Sequence, residues 1–258
     1  MNPADDETIA IRRVPSWKRP LDVLGGIAGT VGGAPFVFLA ALAVWLGDRH
    51  NPFYISPRIG LGGRPFRFIK IRTMVPNASA SGVDTTIKGD ARIVPAGALI
   101  RRLKLDELPQ FWHVLSGEMS LVGPRPNVRR ETELYTAAER ELLSVRPGIT
   151  DYSSIVFSDL AEVLAGSSDA NIAYNQLVRP WKSRLGLHYV QTMTPGTDVR
   201  LVLYTFTSSL ARPWTLQRLV AQLKRSGAPT PLCEVCLRDR PLTPSAPPGA
   251  EHIVTQRR

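Results

Sequence analysis

Polar and apolar positions divide the chain into stretches of different texture. Residues 1–16 are polar and carry Asp5, Asp6 and Glu7, then Arg12 and Arg13. This is not the order of a cleavable signal peptide, whose basic residues come first and whose apolar core is short. Residues 23–46 then contain no charged side chain. Twenty-four residues at ~1.5 Å rise reach ~36 Å, enough to cross a bilayer core. Two features oppose a simple crossing. Pro35, after Gly32 and Gly33, removes a helical hydrogen bond and bends the helix. Basic residues flank the run on both sides, Arg12, Arg13, Lys18 and Arg19 before it and Arg49, Arg58 and Arg64 after it, so both ends prefer one side of a membrane. A re-entrant helix hairpin broken near Pro35 meets both conditions. A straight transmembrane helix with a tolerated proline kink is the alternative.

After Gly47 the texture changes. Residues 53–55 and 66–72 read as short strands joined through Gly60, Gly62 and Gly63. Residues 75–90 are rich in Ser, Asn, Gly and Asp and predict a loop. Helices are predicted around 97–104, leading into 105–115, and over 128–145, the last ended by Pro147-Gly148. A Gly-Pro-Arg-Pro turn occupies 123–126. Two more helices, 173–192 and 198–210, mix aromatic with basic residues, as helices lying on a membrane surface do. Packing on the core with a solvated basic face fits their periodicity equally. Beyond Gly227 prolines recur without apolar period, which predicts a disordered tail.

Charge narrows the partners. Of 258 residues, Lys and Arg number 32 against 22 Asp and Glu. From Arg49 to Arg130 there are fourteen basic and five acidic residues, a surplus that suits nucleic acid, anionic lipid or phosphate-bearing substrates. The two cysteines, Cys233 and Cys236, exclude a disulfide framework for the body of the protein and fit a reducing cytoplasm. Their spacing is half a zinc site or a redox pair, but no second pair exists, and two bystander thiols are the plainer reading.

The densest chemistry lies in Leu105-Asp106-Glu107-Leu108-Pro109-Gln110. Two adjacent carboxylates precede an apolar helical run, with Pro109 in its first turn, where a missing N–H is harmless. Helix N-termini favour carboxylates and phosphates, and Arg101, Arg102 and Lys104 stand just upstream. Together these describe a place for a divalent metal and a diphosphate. Taken alone, the hexapeptide reads more simply as a helix cap at Asp106 and a first-turn acid at Glu107.

The hexapeptide has company in a fixed order: Lys18-Arg19-Pro20-Leu21-Asp22, Ser56-Pro57-Arg58-Ile59-Gly60, Phe68-Ile69-Lys70-Ile71-Arg72-Thr73-Met74, Asp90-Ala91-Arg92, Met119-Ser120-Leu121-Val122-Gly123-Pro124-Arg125-Pro126 and Arg146-Pro147-Gly148-Ile149-Thr150. With these blocks, residues 17–210 resemble the bacterial sugar transferases, the small monotopic polyprenyl-phosphate phosphoglycosyl transferases. The resemblance implies an α+β monotopic protein. Its expected parts are a polar segment at 1–16, a re-entrant membrane helix at 17–48, a cytosolic catalytic domain with short strands and amphipathic surface helices at 49–212, and an extension at 213–258, disordered beyond 227.

The resemblance also implies a reaction. Asp106 of an Asp106–Glu107 dyad attacks the β-phosphate of a UDP-sugar, expels UMP and forms a covalent phosphosugar, which polyprenyl (undecaprenyl) phosphate then takes up to start a lipid-linked glycan. Exopolysaccharide, capsule, O-antigen and glycoprotein pathways all begin this way. A carboxylate nucleophile splits one displacement at phosphorus into two. Mg²⁺, expected at Asp106 and Glu107, offsets repulsion between anions. Arg101, Arg125, Lys70 and Arg72 are the implied phosphate binders, a plain structural role being the alternative for each. Pro124 and Pro126 hold Arg125 in a rigid turn beside the substrate. Expected partners are the donor, the acceptor and membrane lipid, not nucleic acid, and a homodimer is compatible. The expected location is the bacterial inner membrane, cytoplasmic face.

Two departures stand out. His113 takes a position where the family usually has Asn, and a structural histidine is expected there. Asp151-Tyr152-Ser153-Ser154 follow Ile149-Thr150 where Gly is commoner, which leaves sugar specificity open. Other classes of function fit less well. A basic tether for nucleic acid or lipid leaves the two acids unexplained, an inactive scaffold leaves the intact dyad unexplained, and adjacent acids lack the separation of a hydrolytic acid/base pair.

Overall fold

The structure, a computed structural model, describes residues 9–78, 90–167 and 169–255. The apolar run becomes one helix, α1 (Lys18–Asp48), with Pro35 inside it. The break expected at Pro35 is not seen: the helix runs through it, and no return limb forms. What the helix does do is touch the rest of the protein along its whole length. Its buried residues, Lys18, Asp22, Gly26, Gly33, Ala40 and Val44, recur at steps of four or seven residues, a single stripe. The opposite face is bare and apolar, including Leu24, Val31, Phe36, Phe38, Leu39 and Leu46. This helix alone, among the described residues, is long and apolar enough to cross a membrane. An apolar face of this extent marks a membrane-associating surface.

Both ends of α1 are tied to the same domain. At its start the Lys18 ammonium donates to Asp198 (2.5 Å), Tyr189 Oη (2.8 Å) and the Val122 carbonyl (2.7 Å), all buried. Asp22 accepts from Ser120 Oγ (2.8 Å) and the Leu121 amide (2.9 Å). At its end Asp48 receives two bonds from Arg72, each 2.7 Å. Glycines let the domain come close: a Cβ on Gly29 would collide with the Phe111 ring, and one on Gly25 with Leu121.

The hairpin follows as predicted. β1 (Phe53–Ile59) and β2 (Pro65–Ile71) pair antiparallel, Phe53 opposite Ile71 and Ile59 opposite Pro65, with Gly62 and Gly63 at positive φ in the turn. Within the predicted 75–90 loop, residues 79–89 lie outside the described residues, as do 1–8 of the N-terminal segment. Helix α2 (Pro95–Arg102) leads to a 3₁₀ turn (Leu105–Glu107) and α3 (Gln110–Ser116). β3 (Ser120–Val122) and β4 (Gly148–Thr150) then pair in parallel, Ser120 opposite Gly148. A Cβ on Gly148 would strike the backbone of Gly123, so only glycine permits this approach.

The helix predicted over 128–145 is instead two short helices, α4 (Arg129–Thr132) and α5 (Ala137–Arg140), and a 3₁₀ turn (Glu141–Ser144). Thr136 and Glu139 form a capping box that starts a new helix in mid-run. Then come α6 (Tyr152–Val156), α7 (Leu160–Val163) and α8 (Ala170–Ala173). A π-helical segment (Tyr174–Val178) joins α8 to α9 (Arg179–Thr192). α9 is no surface helix: Ser183, Leu185, His188, Tyr189 and Val190 are buried in the core with Tyr152, Ile155 and Met119. α10 (Pro195–Leu210) keeps the surface character, leaving Val199, Leu203, Phe206 and Leu210 exposed.

The segment beyond residue 212 differs from the disordered tail expected past Gly227. α11 (Arg212–Arg225) and α12 (Thr230–Leu237) pack together, and both cysteines of α12 are buried thiols in the main core. Their packing is that of small hydrophobes. Downstream, the chain lies back over the domain through its backbone. Ser245 N bonds the Gln176 carbonyl (3.0 Å), and the carbonyls of Ala246, Pro248 and Val254 accept from Arg184, Thr136 and Gln176. Backbone bonding of this kind has no apolar period, so the sequence pattern cannot signal it.

Candidate active site

The 3₁₀ turn sets the two acids at the foot of α3, one turn earlier than the first helical turn expected. Lys104 adopts the left-handed conformation (φ 55°) and swings the chain from α2 into the turn. Asp106 is buried, 8% exposed, while Glu107 reaches outward to Arg125. The Arg125 guanidinium takes both Glu107 oxygens and donates to the Ile149 carbonyl (3.1 Å).

Arg125 stands where the parallel strands deliver it. β3 runs straight into the Gly-Pro-Arg-Pro turn, and the amide of Gly148 on β4 bonds the Pro124 carbonyl (3.0 Å). Pro124 and Pro126 flank the arginine, and all three residues line the groove below the turn. Each proline fixes its own φ, so the guanidinium is held on a stiff support.

Lys70 reaches the dyad from β2. It is half-buried, and its Nζ lies 5.3 Å from the centre of the Tyr54 ring. Burial lowers the Lys70 pKa, Asp106 and Glu107 working against that and Arg101 and Arg58 with it. Burial raises the Asp106 pKa, and Glu107 adds to the rise, while Lys70, Arg101 and Arg125 oppose it. The four sequence candidates Asp106, Glu107, Lys70 and Arg125 are therefore one electrostatic group, with Arg101 of α2 acting on it. Burial of this kind costs a charge its hydration, and only opposite charges in reach restore the balance.

Arg72 does not join them. Besides its two bonds to Asp48, it donates to the carbonyls of Asn51 (2.7 Å) and Met74 (3.2 Å). Its donors hold the end of α1, the structural alternative for this residue. His113 is structural as expected. Its Nδ1 pairs with Glu118 (2.7 Å), which leaves Nε2 to accept the Ile69 amide (3.1 Å) and pins β2 beside α3.

Gln110 was quoted in the sequence motif without a role. It is fully buried, and neither side-chain amide atom has a hydrogen-bond partner, a costly state for a polar group. Its amide oxygen, like the carboxylates of Asp106 and Glu107, is a hard donor of the kind a magnesium ion takes together with water and substrate phosphates. In donor chemistry alone, these residues are compatible with the expected Mg²⁺. Among the described residues no group of three or more His, Cys, Asp or Glu stands ready as a cage.

A second feature begins where the dyad ends. Beside Arg125 a partly open cavity is lined by Pro124, Arg125, Glu131, Tyr135, Asp151, Tyr174 and Lys182 among others, but not by Asp106 or Glu107. Asp151 was marked by its departure from the usual pattern, and Lys182 and Tyr174 by composition, though for a membrane surface. Nothing in their spacing signals a shared cavity.

Comparison with known proteins gives a consistent result. Residues 13–212 match the model of the family described as bacterial sugar transferase. The chain is 34% identical over 196 residues to "UDP-glucose:undecaprenyl-phosphate glucose-1-phosphate transferase" of Caulobacter vibrioides, a match covering 75% of this chain and 69% of the relative. It is 34% identical over 215 residues to "Exopolysaccharide production protein ExoY" of Sinorhizobium fredii, covering 77% and 88%. It is 30% identical over 199 residues to "UDP-N-acetylgalactosamine-undecaprenyl-phosphate N-acetylgalactosaminephosphotransferase" of Aeromonas hydrophila, covering 75% of this chain but 43% of that one.

Proposed function

The chain belongs to the bacterial sugar transferase family, and from that premise we propose that it moves a sugar-1-phosphate from a UDP-sugar to polyprenyl phosphate. The observation that carries this reading is Asp106: a buried carboxylate set among Lys70, Arg101 and Arg125, with Glu107 beside it. A structural acid in a core pairs off; this one is held against burial by cations that also suit a diphosphate.

In the proposed reaction an Asp106 oxygen attacks the β-phosphorus, and the bond from that phosphorus to the bridging oxygen breaks. UMP leaves with the electron pair, and the sugar phosphate remains esterified to Asp106. An oxygen of polyprenyl phosphate then attacks the same phosphorus and displaces the carboxylate. Arg125 and Arg101 bind the phosphoryl oxygens, where charge grows in each transition state. Lys70, with its charge disfavoured by burial, gains most from an arriving anion. Asp106, Glu107 and Gln110 are the residues that would hold Mg²⁺. When bound, the ion offsets repulsion between the carboxylate and the diphosphate.

The lipid acceptor explains the anchor. In this reading α1 dips into the inner membrane from the cytoplasmic face and stays on that side, since Lys18 and Asp48 at its two ends are both bonded into the one domain. A bend at Pro35 on contact with lipid completes the re-entrant shape. The product begins a lipid-linked glycan, exopolysaccharide among the options.

The test is UMP release in nanodiscs with polyprenyl phosphate, Mg²⁺ and a panel of UDP-sugars. Release that depends on one donor and on the lipid acceptor supports the reading. Well-folded, membrane-bound protein that turns over no donor removes it.

A further inference from the structure

The cavity beyond Arg125 holds a lysine that the proposed chemistry at the dyad does not use. Lys182 makes no ion pair among the described residues. Its Nζ donates to Tyr174 Oη (3.3 Å) and lies 5.4 Å from the centre of that ring. Of the two carboxylates in the cavity wall, Glu131 and Asp151, the latter is already committed: Ser153 Oγ (2.7 Å), the Ser154 amide (2.7 Å) and Ser154 Oγ (2.5 Å) all donate to it, capping α6. Burial works against the charge of Lys182, Asp151 and Glu131 support it, and Arg125 and Arg58 oppose it. A lysine withdrawn from water without an ion pair gains from an arriving anion.

The walls add a second kind of contact. Tyr174 opens a π-helical segment, a widened turn that recurs at functional sites. With Tyr135 it gives the cavity two phenol rings. Tyr135 Oη is fixed by Asn127 (2.7 Å), so that ring is held in place. Cations and aromatic faces lining one cavity suit a nucleoside monophosphate, which carries both a charged and a flat group.

The reaction geometry agrees. Displacement at phosphorus puts attacking and leaving oxygens roughly in line. Arg125 both pairs with Glu107, next to Asp106, and lines the cavity, so a diphosphate on Arg125 can be attacked from Asp106 while its leaving half sits in the cavity. Resting on the functional reading above, we infer that this cavity binds the uridine monophosphate half of the donor, with Lys182 and Arg125 on its phosphate and Tyr174 and Tyr135 on the nucleoside. Lys182 then holds the UMP phosphate equally before and during transfer, and the sugar lies outside this cavity.

The experiment is UMP binding by calorimetry to nanodisc-held Asp106→Asn protein, which needs no turnover, with and without Lys182→Met. Lys182→Arg is the charge-keeping control, and melting curves establish that each variant folds. The expected result is at least a tenfold loss of UMP affinity in Lys182→Met, largely restored in Lys182→Arg. In the otherwise unaltered enzyme, KM should rise by one common factor for every UDP-sugar accepted. Unchanged UMP affinity in folded Lys182→Met overturns the inference. So does a KM change that alters the preference among UDP-sugars, which would make the cavity a sugar site. UMP binding that depends on Lys182 in a protein that turns over no donor keeps the cavity assignment and removes the transferase reading. Turnover without Lys182-dependent UMP binding does the reverse.

Discussion

On the Glu107 side of Arg125 the two acids are consecutive residues, joined by Lys70 of β2 and Arg101 of α2; on the cavity side the walls come from segments scattered between Pro124 and Ser183. In the proposed reaction the first side uses two carboxylates at fixed separation, and adjacency along one tight turn supplies it. In the proposed binding role the second surrounds a ligand, and enclosure requires several elements at different angles. Chemistry can therefore be written in a motif, while recognition has to be folded into place. Arg125 belongs to both, which is why a rigid turn between paired strands holds it.

Substitutions separate the two sides. The largest expected effect is that of Asp106→Asn, which should cut sugar-phosphate transfer by on the order of 10⁴-fold with little change in donor affinity. Arg125→Met comes next, at about 10²- to 10³-fold in kcat, and it alone should impair rate and UMP affinity together. A mutant that lost only one of these would break the picture of a shared arginine. On the cavity side, the effect of Lys182→Met is confined to the donor's KM and to UMP.

Arg72→Met sharpens the comparison from outside the site. It removes the bonds to Asp48 and to two carbonyls at the end of α1. Stability should fall by about 2 kcal/mol, or roughly 4–8 °C in melting temperature. Turnover per folded molecule should be unchanged; a large kcat loss would return Arg72 to the phosphate site.

The smallest effect has the opposite sign. Burial raises the Asp106 pKa, so folding favours the protonated acid and opposes the ionised one. That cost is absent below the ordinary carboxylate range and grows as pH rises through the raised value. Asp106→Asn should therefore stabilise the protein by on the order of 1 kcal/mol at neutral pH in metal-free buffer. The gain should vanish toward about pH 4. Melting temperatures across that range check it.

Much of this was legible before folding. The uncharged run gave α1, alternation and glycines gave the hairpin, and the order of motifs gave the dyad with Arg125. What stayed hidden has physical causes. Helices α9 and α10 both mix aromatic and basic residues, yet one is core and the other surface. Periodicity marks an apolar face without saying what covers it. Lys70 and Arg72 share strand parity, but β2 ends at Ile71 and the next side chain turns to Asp48. The extension past residue 212 carries short helices and carbonyl bonds that leave no pattern.

The central claim is that Asp106 carries the sugar phosphate. Intact-protein mass spectrometry of nanodisc-held enzyme, given its UDP-sugar without polyprenyl phosphate, tests it directly. The account predicts a mass increase of one sugar phosphate, located on Asp106, discharged when polyprenyl phosphate is added and absent in Asp106→Asn. Donor turnover by Asp106→Asn at the unaltered rate, or an adduct on another residue, would contradict it.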